Sequence, residues 1–274
     1  MEGESSKAFV EALARGLEVI RAFGPAAPQM TSAQVAAKTG LARPTAHRLL
    51  LTLESLGYAR NSDAGFSLTP RVVDLGMSYI AARGLWDIAR PHMEEVVAAT
   101  NQSCSITELD GSDIVYLARV VVPKVLSMAL HVGTRSPARS TSMGDVLLAG
   151  LAPHELKSCL SRPSRSDFVA RESRTDAELE TVLPQVRKQG WAISDERLAH
   201  GVRAVSVPLT NAKARTVAAI SIAVHSTEVS VDQIKQEILP LLVTTAANIS
   251  TDWCKYGELP MASLAMTSFP IAGK

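Results

Sequence analysis

The chain has 274 residues, a near-neutral formal charge of +1 and 46% hydrophobic content. That length suits two domains. The charge excludes a protein that holds nucleic acid by bulk basicity, but not one that reads it through a local cluster. Cys104, Cys159 and Cys254 are scattered and form no CxxC pair, so neither a disulfide framework nor a zinc site is expected. No signal peptide and no bilayer-length apolar run is visible, which points to a cytoplasmic chain with no membrane role.

In chain order, Val10, Leu13, Leu17 and Ile20, extended by Phe9 and Phe23, recur at helical spacing until Gly24, Pro25 and Pro28 stop the pattern. Thr31 and Gln34 form a capping box for a short helix with Val35 and Ala36 inward, ending at Gly40. Pro44 suits the first position of the next helix, whose expected buried face is Ala46, Leu49, Leu50, Leu53 and Leu56. Its other side carries Thr45, Arg48 and Thr52, flanked by Arg43 and His47. Gly57 ends it, and Tyr58–Leu68 reads as a hairpin with Arg60 on it. Three helices and a hairpin make a winged helix-turn-helix. In such a unit Arg48 can take a guanine edge or a phosphate, and Thr45, Thr52 and Arg60 can hold the DNA backbone. A solvated helix face in a small bundle is the competing reading.

Thr69-Pro70 opens a linker helix (Val72, Val73, Leu75, Met77, Ile80) that closes at Gly84. A helix from Leu85 to Thr100 follows, kinked or restarted at Pro91. Ser103–Leu109 and Ile114–Val122 read as strands joined by the Asp110-Gly111 turn, with Val125–Val132 as a third. Ser142 opens a helix through Leu151, read as capped by Ser142 with Asp145. Leu156–Arg174 reads as irregular and Asp176–Gln189 as an amphipathic helix. Strands are expected at Trp191–Ser194, Arg203–Leu209 and Val217–His225, then a helix over Val231–Cys254, bent at Pro240. The fold class is therefore α+β. The expected division is 1–69 for the winged unit, 70–84 for the linker helix, 85–256 for a sheet of about six strands covered by helices, and 257–274 for a disordered tail.

The segments FVEALARGLEVIRAFG, LARPTAHRLLLTLESLGY, LTPRVVDLGMSYI, GLWDIARPHMEEV, SCSITELDGSDIVYLARV and GTRSPARSTSMG together resemble the IclR family of bacterial transcription regulators. They are most similar to its protocatechuate and 4-hydroxybenzoate (β-ketoadipate pathway) subgroup. The resemblance implies a GAF-like C-terminal effector domain, a homodimer or tetramer on a palindromic double-stranded operator, and an effector that is an aromatic acid or β-ketoadipate. It also implies an effector carboxylate at the backbone amides of Ser142, Met143 and Gly144. A helix start suits an anion on physical grounds as well. Ser194, Val202, Ala204, Ser221 and Ala223 match other pocket positions, and His225 shares their face by alternation. Arg135, Arg203 and His131 are candidate partners for a ligand carboxylate or phenol. Asp145 stands where the family usually has Lys, which is expected to add negative charge beside the site.

Two other readings compete. A family member could answer to glyoxylate, pyruvate or another small acid. An enzyme with an accessory helical domain is the other, but no GxSxG, P-loop, GxGxxG or HExxH occurs, so neither a catalytic residue nor a cofactor or metal is expected. Cys104 reads as a small core residue.

Overall fold

A computed structural model describes residues 9–123 and 130–257. The described residues divide into two compact units, 9–82 and 83–257.

In the first unit, α1 (Glu11–Ala22), α2 (Ser32–Thr39) and α3 (Arg43–Ser55) enclose a small core of Val19, Met30, Val35, Ala46, Leu50, Leu53 and Phe66. The Thr31 capping box forms as expected, with Thr31 Oγ1 accepting from the Gln34 amide and the Gln34 side chain returning to the Thr31 amide. Gly40 leaves α2 in the left-handed region (φ +70°). Pro44 is the second rather than the first residue of α3, where its missing N–H still costs nothing. The wing is β2 (Ala59–Ser62) paired antiparallel with β3 (Gly65–Leu68), and a short β1 (Gln29–Met30) adds to the far edge of β3. Gly65 is required there: a Cβ would sit 2.6 Å from the Met30 carbonyl oxygen.

One expected burial fails, and one apolar stripe faces outward. Leu56 is 52% exposed, because α3 ends at Ser55 and the chain turns away toward the wing. The α1 stripe of Phe9, Val10, Leu13 and Leu17 also faces outward, and only Val19 and Ala22 of that helix are buried. The helix α4 (Arg71–Arg83) belongs to this unit up to Ala82, with the boundary at its last residue.

The second unit is built on a six-stranded antiparallel sheet of order β6-β5-β4-β9-β8-β7. Its strands are β4 (Ser103–Asp110), β5 (Asp113–Val120), β6 (Arg135–Pro137), β7 (Ala192–Asp195), β8 (Val202–Thr210) and β9 (Thr216–His225). One face packs on α5 (Leu85–Thr100) and α10 (Leu239–Gly257) through Cys104, Ile106, Val205, Ile220, Ile222, Leu242 and Ile249. The alternate residues face α6 (Ser142–Ala149) and α8 (Asp176–Gln189). Burial on both faces explains why β9 is nearly all apolar.

Several expectations need correction here. Residues 125–129 of the expected third strand lie outside the described residues, residues 130–134 form a turn, and the edge strand is Arg135–Pro137. A helix, α7 (Pro153–Leu160), interrupts the stretch read as irregular; Pro153 begins it and Glu155 reaches back to the Ala152 amide. The last helix begins as α9 (Val231–Gln233), passes through a π-helical turn over Ile234–Ile238, and continues as α10. Pro240 cannot donate into the preceding turn, so the wider spacing falls just before it. The expected disordered tail lies outside the described residues.

Candidate functional site

On the first unit, Arg43, His47, Arg48 and Thr52 stand exposed on α3, Thr45 is half-buried, and Arg60 is exposed on the wing. No carboxylate pairs with Arg43, Arg48 or Arg60 among the described residues, so those charges remain open to an anion. His47 is positioned rather than free: its Nδ1 lies 3.0 Å from Ser32 Oγ, and its ring meets Phe66 edge-on at 6.2 Å. The Thr52 hydroxyl is donated back to the Arg48 carbonyl (2.9 Å), which leaves it only as an acceptor. Arg60 Nε bonds Ser67 Oγ across the hairpin (3.1 Å). The face is one helix with cations toward solvent over an apolar base, backed by a short wing.

The second unit contains a cavity of about 450 Å³ between the sheet and α6, within the range of small-molecule sites. Six of the expected effector residues line it through side chains on β7, β8 and β9: Ser194, Val202, Ala204, Ser221, Ala223 and His225. They meet by register, since Ser194 pairs Ala204, Ala204 pairs Ala223, and Val202 pairs His225. Ser142 and Met143 line it from the start of α6.

The start of α6 is organised differently from the sequence expectation. Thr141, not Ser142, is the N-cap, and its Oγ1 accepts from the Gly144 amide at 2.9 Å. Gly144 is therefore spent internally and does not line the cavity. Its missing side chain lets α6 rest on the turn before it, for a Cβ would lie 1.9 Å from the Ala138 carbonyl oxygen. The amides of Ser142 and Met143 remain at the helix mouth, where the backbone dipole favours an anion. Ser142 Oγ is held 2.7 Å from Ser206 Oγ.

Asp145 does not cap either. It is completely buried and bonded by Arg174 (3.2 and 3.4 Å) and by Arg197. Burial pushes its carboxyl up, and the Arg197 and Arg174 guanidiniums pull it back down. Two guanidiniums bracket this one carboxylate, with Glu172 and Glu178 acting on the same arginines, so the charge of Asp145 is neutralised within its own cluster rather than added beside the site as the sequence suggested.

Two arginines expected at the ligand are elsewhere. Arg203 lies between Val202 and Ala204 on β8, so alternation turns it to the far face, where it grips Asp195 (2.7 Å) and the carbonyls of Ser226 and Val229. Arg135 pairs with Val115 on the sheet edge and is held by Asp110 and Asp113. His131 does not line the cavity; its amide bonds Thr134 Oγ1 at 2.9 Å in the turn before β6.

The sequence reading missed the β4–β5 wall, where Ser103, Ser105, Tyr116 and Arg119 line the cavity, and the rim residues Leu198 and Gly201. Gly201 (φ +75°) sits under the His225 ring, and a Cβ there would meet its Nε2 at 2.9 Å. Burial pushes the Tyr116 phenol up to about 12, so it stays protonated near neutral pH. The Cys104 thiol, on the opposite face, is pushed up to about 12 by the same effect and is no nucleophile. No group of His, Cys, Asp and Glu able to hold a metal occurs among the described residues. No helix among them is long and apolar enough to cross a membrane.

The chain matches two family profiles: the IclR helix-turn-helix domain over residues 12–63 and the bacterial transcriptional regulator IclR C-terminal domain over residues 77–251. It is 35% identical over 245 residues, 88% of this chain and 83% of the relative, to the Pca regulon regulatory protein of Pseudomonas putida. A solved chain from Rhodococcus sp. RHA1 superposes with a TM-score of 0.79 at 39% identity, covering 90% of this chain and all of that one (100%). An IclR homolog from Microbacterium hydrocarbonoxydans, solved with 4-hydroxybenzoate, shares the fold at TM-score 0.75 and 23% identity, covering 88% and 98% of the two chains.

Proposed function

The chain belongs to the IclR family of bacterial transcriptional regulators, and from that premise we propose that it controls genes of aromatic-acid breakdown in response to a small acid. The observation that carries this reading is the cavity at the start of α6, with largely apolar walls and a free helix end for a carboxylate. The Pseudomonas putida relative is a Pca regulon regulator and the Microbacterium structure holds 4-hydroxybenzoate, which favours a ring acid or β-ketoadipate over glyoxylate or pyruvate. A two-carbon or three-carbon acid would leave most of a cavity of about 450 Å³ unfilled. Its effector contacts are read as Ser142, Met143, Ser194, Val202, Ala204, Ser221, Ala223 and His225. The chain acts as a binding protein with no turnover of its own.

DNA contact is assigned to Arg48 with Arg43, Thr45, His47, Thr52 and Arg60 around it. Phe9, Val10, Leu13 and Leu17, from 48 to 65% exposed, fit a contact with a second copy, as a palindromic operator requires. Effector binding can alter operator affinity only if it favours one arrangement of the paired heads.

The test is a thermal-shift and calorimetric panel of protocatechuate, 4-hydroxybenzoate, β-ketoadipate, glyoxylate and pyruvate, followed by binding to an operator selected from random DNA. Saturable binding of one of the first three, with a changed operator affinity, supports the reading. A response only to glyoxylate or pyruvate, or steady consumption of any acid, overturns it. Arg48→Ala should weaken operator binding by about 1–3 kcal/mol if the contact is to a base. Unchanged affinity in the folded variant removes Arg48 from the interface.

A further inference from the structure

The β5 wall of the cavity holds a cation that the carboxylate site at α6 does not use. By strict alternation Tyr116 and Arg119 would face opposite sides of the sheet. A bulge intervenes: Ile106 pairs Ala118 and Thr107 pairs Tyr116, so Leu117 is the extra residue and Arg119 turns back to the cavity beside Tyr116. Its guanidinium carbon lies 5.6 Å from the Tyr116 ring centroid, and one N–H is donated to the Leu130 carbonyl. The Nε is buried with no acceptor, and no carboxylate neutralises the group among the described residues. Glu228 also lines the cavity, yet no ion pair joins Arg119 to a carboxylate among the described residues, and a half-buried arginine so placed is an incomplete ion pair.

Its position relative to α6 follows from register. Arg119 pairs Ser105, Ser105 pairs Ser221, Ser221 pairs Ser206, and Ser206 Oγ meets Ser142 Oγ at 2.7 Å. Arg119 and Ser206 thus sit three strand spacings apart, roughly 14 Å between backbones before the arginine's own reach is subtracted. The cavity has a cationic feature at each end of one row.

We propose that Arg119 is a specificity-determining residue that takes a second acidic group, so that the favoured ligand carries an anion at both ends rather than one carboxylate and a phenol. This rests on the reading of the cavity as the acid-effector site. The first carboxylate meets the amides of Ser142 and Met143. The second pairs with the free edge of the Arg119 guanidinium, and Tyr116 beneath keeps that group oriented.

Three probes share one ring and one carboxylate and differ only at the para position: terephthalate, 4-carbamoylbenzoate and 4-hydroxybenzoate. Calorimetry on the full chain should show terephthalate bound at least about tenfold more tightly than its uncharged amide isostere, the scale of one charge-assisted bond. Arg119→Gln should erase that preference, weakening terephthalate at least about tenfold more than 4-hydroxybenzoate, and Arg119→Lys should keep part of it. Equal weakening of all three probes by Arg119→Gln would mean that Arg119 holds the shared carboxylate or only the fold, and would overturn the proposal. So would a preference that persists in Arg119→Gln, or no preference in the wild type. If the Gln variant does not fold, the Lys variant decides: it must retain a charge preference or the assignment fails. Wild-type protein that binds DNA but none of the three acids refutes the ring-acid reading itself, a result distinct from a lost preference.

Discussion

Replacing Gly144 with alanine tests whether the start of α6 is held by close packing on the turn before it. The added Cβ would lie 1.9 Å from the Ala138 carbonyl oxygen, 2.5 Å from its carbon and 2.6 Å from the Ala138 Cα. A comfortable carbon–oxygen contact is roughly 3.3 Å, so relief requires a displacement of more than about 1 Å. The obstructing atoms are backbone and cannot rotate away. Overpacking of a close-fitting site costs roughly 1–3 kcal/mol, and the rigid neighbour puts this case at about 3 kcal/mol or more. For a unit of this size each kcal/mol moves the melting temperature by roughly 2–4 °C, so a fall of about 6–12 °C is expected. All three tryptophans, Trp86, Trp191 and Trp253, lie in the second unit, so tryptophan fluorescence reads its melting alone. The same shift should pull the Ser142 and Met143 amides out of place and weaken acid binding by at least about tenfold. A melting temperature within about 2 °C of wild type, with acid affinity intact, would refute the packing argument.

Leu50→Ala empties the centre of the first unit, where Leu50 is completely buried; it should cost about 2–5 kcal/mol. An early loss of helix by circular dichroism, with the tryptophan transition unmoved, is the expected signature. A tryptophan transition that moves equally would refute the independence of the two cores. Glu178→Gln probes acid sensitivity. The Thr175 amide and hydroxyl hold the Glu178 carboxyl below its ordinary value of 4.5, so the folded chain binds fewer protons there than the unfolded one. Its stabilisation is therefore complete above pH 4.5 and lost as pH falls through the lowered folded value. The urea midpoint of the variant should lie below wild type near neutral pH and converge with it in acid. A gap that widens on acidification would contradict the sign.

Much of this architecture is legible in the sequence because its causes are local. The Thr31 and Gln34 capping box, the Asp110-Gly111 turn and the period-two run of Ser221, Ala223 and His225 depend on neighbours a few residues away. They place the helix-turn-helix, the central strands and one wall of the cavity correctly. The outward α1 stripe was legible as a helix but not as a surface, since periodicity records which residues share a face and not what covers it.

The errors share a different cause. Charge alone points Arg203 and Arg135 toward a ligand, whereas strand register sends them to carboxylates on another face and another edge. The sequence neighbours of Asp145 suggest a capping residue, yet its partners Arg174 and Arg197 come from 29 and 52 residues away. The sequence by itself determined the helices, the turns and the alternation of β9, because short-range hydrogen bonding and side-chain periodicity specify them. Only the tertiary structure decided that a bulged residue at Leu117 brings Arg119 round beside Tyr116, because the extra residue exists only against β4 and no single strand records its partner.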